Sequence, residues 1–199
     1  MKSPLAKVLH PLGGRPMLCL LLDKLATFRD MRAVCVVGHD ADQVRSILPE
    51  GVASVLQWPP RGTGHAVQVA KSKFSSAKVL VVTPGDAPLV SVDTFKRLLD
   101  HHRKENALAT VLTAEPEDLA AYGRVVQKND GTVARIVEAA DADPQTLAVR
   151  RINTGIYVFE TKALLSVIGK LGTSNRKGEF YLTDVIEMLA SRGRVAALN

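Results

Sequence analysis

A chain of 199 residues, 46% hydrophobic and 23% charged, is long enough to bury a core as one domain and has the composition of a soluble globular protein. Its formal net charge of +6 suits an anionic ligand, but the basic residues are scattered with no block of five like charges, which argues against a nucleic-acid-binding stripe. Cys19 and Cys35 form no C-x-x-C, no histidine stands at metal-ligand spacing, and the apolar run Met17 to Leu22 is too short for a membrane span or signal core, so a cytoplasmic protein that touches no membrane is expected.

Lys7 lies in Ala6-Lys7-Val8-Leu9-His10-Pro11-Leu12, a segment without periodicity. Pro16 followed by Met17, Leu18, Leu21, Leu22, Leu25 and Phe28 predicts a helix with proline in its first turn and one apolar stripe. A strand is expected at 33–37, a helix near 41–48, a strand at 52–57, a helix near 64–74, a strand at 78–82 and a helix over about 92–104. This β-α alternation with short connections predicts a doubly wound, mostly parallel sheet with helices on both faces. From 107 the texture changes. Short strands are expected at 108–113, 124–127 and 132–138, the last two joined as a hairpin through Asn129-Asp130-Gly131. A loop or short helix at 141–147 leads to a strand at 152–159, helices near 162–171 and 181–191, and a last strand at 194–198. With no repeat or long linker, the chain reads as one domain whose second half is mixed α/β.

The run Val79-Leu80-Val81-Val82-Thr83-Pro84-Gly85-Asp86 carries an apolar strand into a Gly-Asp turn, and a carboxylate just past such a strand sits where α/β proteins bind ligands. A turn or N-cap aspartate explains Asp86 equally well. In Gln57-Trp58-Pro59-Pro60-Arg61-Gly62-Thr63-Gly64-His65-Ala66 two glycines would let a ring or phosphate approach the backbone, while Gln57 and Thr63 offer hydrogen bonds suited to a base. A tight strand-to-helix turn is the plainer explanation. Tyr122-Gly123-Arg124, Val137-Glu138 and Asn153-Thr154-Gly155 place a glycine, a carboxylate and an amide at strand ends, groups that suit the hydroxyls and acetamido group of a sugar. Alone, Asn153 reads as a turn residue, Glu138 as a surface carboxylate and Lys7 as a solvated charge. Gly178-Glu179-Phe180-Tyr181-Leu182-Thr183-Asp184 reads as a helix start.

Taken in order with Val55-Leu56-Gln57, Pro88-Leu89 and Ile136-Val137-Glu138, these blocks resemble the sugar-1-phosphate nucleotidyltransferases, and within them the uridylyltransferase domain of bacterial N-acetylglucosamine-1-phosphate uridylyltransferases. The resemblance runs the length of the chain. It implies a Rossmann-like, glycosyltransferase-A-like α/β fold with a nucleotide-binding half, 1–105, and a sugar-binding half, 106–199. It further implies that Gln57, Gly62 and Thr63 recognise uracil, that Lys7, Gly85 and Asp86 lie on the nucleotide with Lys7 on its phosphates and Asp86 holding Mg²⁺, and that Gly123, Glu138 and Asn153 hold N-acetylglucosamine. The implied reaction is attack of the sugar 1-phosphate on the α-phosphorus of UTP with release of pyrophosphate, in which Lys7 and Asp86 are the catalytic pair. Positioning and charge neutralisation then carry the chemistry, with no covalent nucleophile.

The chain also departs from that family. Members begin with a buried strand and a glycine-rich phosphate-cradling segment, of which Met1 resembles the last residue, so an incomplete N-terminus is expected, with unpaired strand edges, a poorly folding chain and no measurable turnover, sugar affinity being retained. Ala6 stands for a proline, Pro84 for a tyrosine and Ala140 for a lysine. A second metal-ligating asparagine and a hexapeptide-repeat acetyltransferase domain, both features of the family, are not in the sequence. The alternatives are a nucleotidyltransferase for another sugar phosphate or nucleotide, or a non-catalytic sugar-nucleotide-binding remnant. Self-association is left open.

Overall fold

In the computed structural model, which describes residues 5–119 and 121–199, a 3-10 turn at Lys7–Leu9 leads into a hairpin of two short strands, β1 (Pro11–Leu12) and β2 (Arg15–Pro16). Met1, matched above to the end of a glycine-rich segment, lies outside the described residues. The hairpin turn is Gly13-Gly14, whose φ values of 59° and 81° are the left-handed angles that such a turn demands at both central positions. Then follow α1 (Met17–Leu25), β3 (Val34–Val37), α2 (Ala41–Arg45), β4 (Ala53–Leu56), α3 (Thr63–Val69), α4 (Lys71–Phe74), β5 (Val79–Val82) and α5 (Val92–Lys104). The single helix expected over 64–74 is two short ones meeting at Ala70. Ser91 caps α5 by accepting from the Thr94 N–H at 3.0 Å.

The second half holds β6 (Ala109–Ala114), β7 (Arg124–Gln127), β8 (Val133–Val137), α6 (Pro144–Leu147), β9 (Ile152–Glu160), α7 (Thr161–Val167), α8 (Asp184–Ala190) and β10 (Val195–Leu198). The helix expected from 181 begins only at Asp184, because residues 180–182 are bonded elsewhere: Phe180 N–H to Arg61 O at 2.8 Å and Leu182 N–H to Thr63 Oγ1 at 3.0 Å.

Among the described residues the ladders form a sheet ordered β10-β6-β9-β7-β8, with β5 alongside β9, and a separate parallel pair β3-β4. The fold is the Rossmann-like α/β arrangement expected, with a mixed sheet. Its parallel share is smaller than the β-α rhythm suggests, being confined to β3-β4 and β10-β6. The reason is β9, which enters from the β7–β8 hairpin at the Arg124–Ile152 pair and so runs antiparallel to β5, β6 and β7.

Alternation along β9 divides the core. Tyr157 and Phe159 face Val67, Phe74, Leu164, Val185 and Ile186, whereas Ile156 and Val158 face Leu21, Leu25, Phe95 and Leu98. Helices therefore cover both faces. Phe95 and Leu98, 1% and 0% exposed, each contribute about 1.5–3 kcal/mol of burial. Leu18 and Leu22, on α1, pack instead with Leu9, Val37 and Val44, so this helix ties the β3-β4 pair to the main sheet. Among the described residues β3 ladders only with β4 and β5 only with β9, and Val36 and Val79 are 36% and 37% exposed.

His102 is 5% exposed on α5, with Nδ1 2.9 Å from Thr110 Oγ1. Burial, then the charges of Arg103 and His101, hold its pKa below the usual imidazole value. The unfolded chain thus takes a proton at a pH where the folded one does not. Stability present above the ordinary value of 6.5 is expected to fall as pH drops through it towards the lower folded value, by at most about 1.4 kcal/mol per pH unit. Thermal melts from about pH 7.5 to about pH 5 should show this loss, and His102→Gln should flatten it. Equal slopes in the two proteins would assign the loss to other groups.

Candidate functional site

Lys7 and Asp86 meet. Gly85 makes this contact available, since a Cβ there would stand 3.2 Å from Val8 Cγ1 and 3.5 Å from Leu18 Cδ1. The turn after β5 therefore packs onto the segment carrying Lys7 and onto α1. The Lys7 ammonium forms an ion pair with Asp86 Oδ2; the lysine side chain is 64% exposed and the carboxylate 27%. The hydrogen bond and charge of Asp86 raise the lysine's pKa above its ordinary value, and the Tyr122 phenol acts the same way, which brings the second half within electrostatic reach of Lys7. Among the described residues no group of three or more His, Cys, Asp or Glu is placed to hold a metal ion.

Gly123, Glu138 and Asn153, far apart in sequence, come to one corner. The Asn153 N–H donates to Gly123 O at 2.9 Å. At Gly123 a Cβ would lie 3.3 Å from Val137 O and 3.5 Å from Glu138 Oε2, so the missing side chain leaves room for that carboxylate. Asn153 Oδ1 accepts from the Gly155 N–H at 3.0 Å and its Nδ2 donates to the Tyr157 hydroxyl at 2.6 Å. Tyr157 is 3% exposed, and burial pushes its pKa up. The corner adjoins the Asp86 turn: a Cβ on Gly155 would contact Pro84 Cγ at 3.5 Å.

Beside it lies a cavity of about 220 Å³ lined in part by Glu138, Asp141, Asn175, Tyr181, Asp184 and Glu187. Burial, then the charges of Glu187, Glu138 and Asp141, raises the Asp184 pKa. Burial, then Asp141, pushes the Tyr181 phenol up to about 12. Asp141 Oδ2 and the Tyr181 hydroxyl are buried close to each other, and among the described residues neither makes a hydrogen bond of ordinary geometry. The cavity's carboxylates, with Arg135 on the same wall, offer acceptors that suit hydroxyl and amide donors.

On the other side, Gln57 extends the β3-β4 ladder by donating its N–H to Val37 O at 2.7 Å. Its side-chain Nε2 donates to Gly62 O at 2.9 Å and lies 3.1 Å from His65 Nδ1. The two glycines, read above as openings for a ring or phosphate, have a different neighbour. A Cβ on Gly62 would stand 2.7 Å from Phe180 O, and one on Gly64 2.4 Å from Leu171 Cδ1 and 2.9 Å from Phe180 O. The chain itself fills the space on that side. The Gly64 N–H donates to Phe180 O at 2.8 Å, and Thr63 Oγ1 accepts from Leu182.

The segment 178–184, read as a plain helix start, is thus the strap joining both ends of the site. Its backbone holds the Gln57–His65 turn, and Thr183, 3% exposed, donates its hydroxyl to Glu138 Oε1 at 3.1 Å. In the sequence only the order of the motif blocks points to Thr183 and Tyr181.

The mixed α/β sheet thus carries a lysine–carboxylate pair at one strand end, an amide-bearing glycine turn at another and a carboxylate-lined corner beside them. The chain belongs to the nucleotidyl transferase family, whose profile matches residues 3–198. It is 42% identical over 198 residues to the bifunctional protein GlmU of Exiguobacterium sibiricum, covering 99% of this chain and 44% of that protein. Identity to GlmU of Enterococcus faecalis is also 42%, over 199 residues, covering 99% of this chain and 43% of that one. The chain therefore spans less than half the length of these curated relatives. Similar solved structures include apo UDP-glucose pyrophosphorylase, with a TM-score of 0.78 and 16% identity over 98% of this chain and 82% of that one. A putative glucose-1-phosphate thymidylyltransferase from Bacillus anthracis in complex with a sucrose aligns with a TM-score of 0.77 and 23% identity, covering 96% and 77%. These last two likenesses are of fold. Among the described residues no helix is long and apolar enough to cross a membrane.

Proposed function

We propose that this site joins UTP to N-acetylglucosamine 1-phosphate, giving UDP-N-acetylglucosamine and pyrophosphate. The observation that supports this best is the convergence of Gly123, Glu138 and Asn153 on one corner beside the Lys7–Asp86 pair. In this reading Gln57, Gly62 and Thr63 receive the uracil, Lys7, Gly85 and Asp86 the phosphates, and Gly123, Glu138 and Asn153 the sugar. Glu138 uses one carboxylate oxygen and Asn153 both atoms of its amide within the protein, which fixes their orientation and leaves Glu138 Oε2, the second lone pair of Asn153 Oδ1 and its second amide proton for sugar hydroxyls and the acetamido group. Lys7, being mostly exposed, is free to swing from Asp86 to incoming phosphates.

A single half-buried carboxylate fits Mg²⁺ only where substrate phosphates and water complete the shell, which is a common arrangement for that ion. Held by Asp86 and the phosphates, it would neutralise charge on the pyrophosphate leaving group. The protein's own part is to align two anions and shield their repulsion.

One observation favours a binding-only reading: Asp86 is already satisfied by Lys7. Calorimetric titration with UDP-N-acetylglucosamine, beside a pyrophosphate-release assay with UTP, N-acetylglucosamine 1-phosphate and Mg²⁺, separates the two. Saturable binding is expected, weakened by about tenfold or more in Glu138→Ala, which strips a charged acceptor from the sugar. Failure of the chain to bind the sugar nucleotide would sink the proposal; binding without pyrophosphate release would reduce it to the binding-only form.

A further inference from the structure

Both amide protons of Gln57 are committed within its own turn. Gly62 O, 2.9 Å from Nε2, is a backbone carbonyl and only accepts, so it fixes which end of the amide is the NH₂ group. The second proton of that group is then directed to His65 Nδ1 at 3.1 Å, which must be the acceptor nitrogen, and the ring proton sits on Nε2. Only Oε1 remains to Gln57 for a ligand. The His65 ring is itself placed by the strap, 6.2 Å from the Phe180 ring centroid, while the N–H of neighbouring Gly64 donates to Phe180 O.

We propose that His65 is a positioning residue for base choice: by taking the second N–H of Gln57 it makes that side chain a pure hydrogen-bond acceptor, which selects a pyrimidine with a protonated N3. Uracil carries a proton at N3, whereas cytosine presents a lone pair there, and an acceptor facing an acceptor leaves both unsatisfied. Without the His65 nitrogen the amide is held at Gly62 O alone, so turning it over to offer its NH₂ group to cytosine N3 costs one hydrogen bond in place of two, and the side chain serves either base. The inference rests on the reading of Gln57 as a base-binding residue given above.

Calorimetric titration of the chain with UTP and with CTP tests it. The wild-type protein is expected to prefer UTP by about tenfold or more, the size of one buried mismatch. His65→Phe keeps a ring beside Phe180 but removes the nitrogen, and should bring the preference within about threefold, with CTP gaining relative to UTP. His65→Asn returns an acceptor oxygen near the place of Nδ1 and should restore most of the preference. Equal weakening of both nucleotides in His65→Phe, with the ratio kept, would overturn the proposal and leave His65 a structural residue. A preference that survives Gln57→Ala would instead overturn the base-binding reading itself. Should His65→Phe fail to fold, ¹⁵N spectra of the wild-type imidazole decide: an unprotonated Nδ1 and a protonated Nε2 are expected, and the opposite tautomer rules the mechanism out.

Discussion

Gly62→Ala is expected to destabilise the fold by about 2–4 kcal/mol and to abolish UTP binding with it. Two independent costs meet at this residue. Its φ of 101° lies in the region that a side chain strains, and its Cβ would stand 2.7 Å from Phe180 O and 2.8 Å from Glu179 Cβ. The first obstacle is backbone, so no rotamer change relieves it. Moving the strap away would loosen the bonds from Phe180 N to Arg61 O and from Gly64 N to Phe180 O, both 2.8 Å, each worth about 0.5–1.5 kcal/mol. It would also shift the carbonyl that orients Gln57. Gly131 supplies the control: its φ is 81°, but nothing lies within 4 Å of a Cβ there, so Gly131→Ala should cost only the backbone strain, about 1–2 kcal/mol. Urea denaturation of the two variants makes the comparison. If Gly62→Ala were no worse than Gly131→Ala, the strap would be a yielding contact and could not be what organises the base side of the site.

Much of the fold was legible because its strands are short apolar, β-branched runs bounded by turn residues, as at Val34–Val37 and Val79–Val82. What escaped the sequence depends on contacts across the chain. Phe180, Tyr181 and Leu182 fit the apolar stripe of the helix after them, yet Phe180 and Leu182 give their N–H groups to Arg61 and Thr63, and no periodicity reports a partner so distant. The β1–β2 hairpin was hidden for the opposite reason: strands of two residues have no period to read, and the Gly13-Gly14 turn was the only signal. At the site, residue types were readable but their pairings were not. Asn153 was open between turn residue and sugar contact; its Oδ1 on the Gly155 N–H shows the turn role directly, while its place beside Gly123 and Glu138 supports the second. Lys7 was a lone cation in sequence, and only the packing of Gly85 on Val8 and Leu18 brings it to Asp86.

That pairing gives the second large effect, which changes sign with the metal. Asp86→Asn is expected to tighten UTP binding in the presence of EDTA and to weaken it at saturating Mg²⁺, by about tenfold or more in each direction. Under the proposed reading the Asp86 carboxylate would face the triphosphate as a like charge when no cation is present, and its ion pair would hold Lys7 away from it; the neutral, nearly isosteric amide would remove both obstacles while leaving the turn after β5 in place. Two unit charges about 4 Å apart interact by roughly 1 kcal/mol in water and about 4 kcal/mol near a protein surface, a range that spans the expected change. With Mg²⁺ the same carboxylate would become the ion's protein anchor under the proposed reading, and its loss would leave the ion to phosphate and water alone. The Lys7 pKa, raised chiefly by the hydrogen bond and charge of Asp86, should fall back towards the ordinary lysine value in the variant, a shift that ¹⁵N titration of the ammonium reads separately from binding. Calorimetry with UTP in EDTA and in Mg²⁺, on both proteins, yields the four affinities required. Were the Mg²⁺ enhancement to persist in Asp86→Asn, the metal would be anchored elsewhere, and Asp86 would be a turn residue whose charge serves only to hold Lys7.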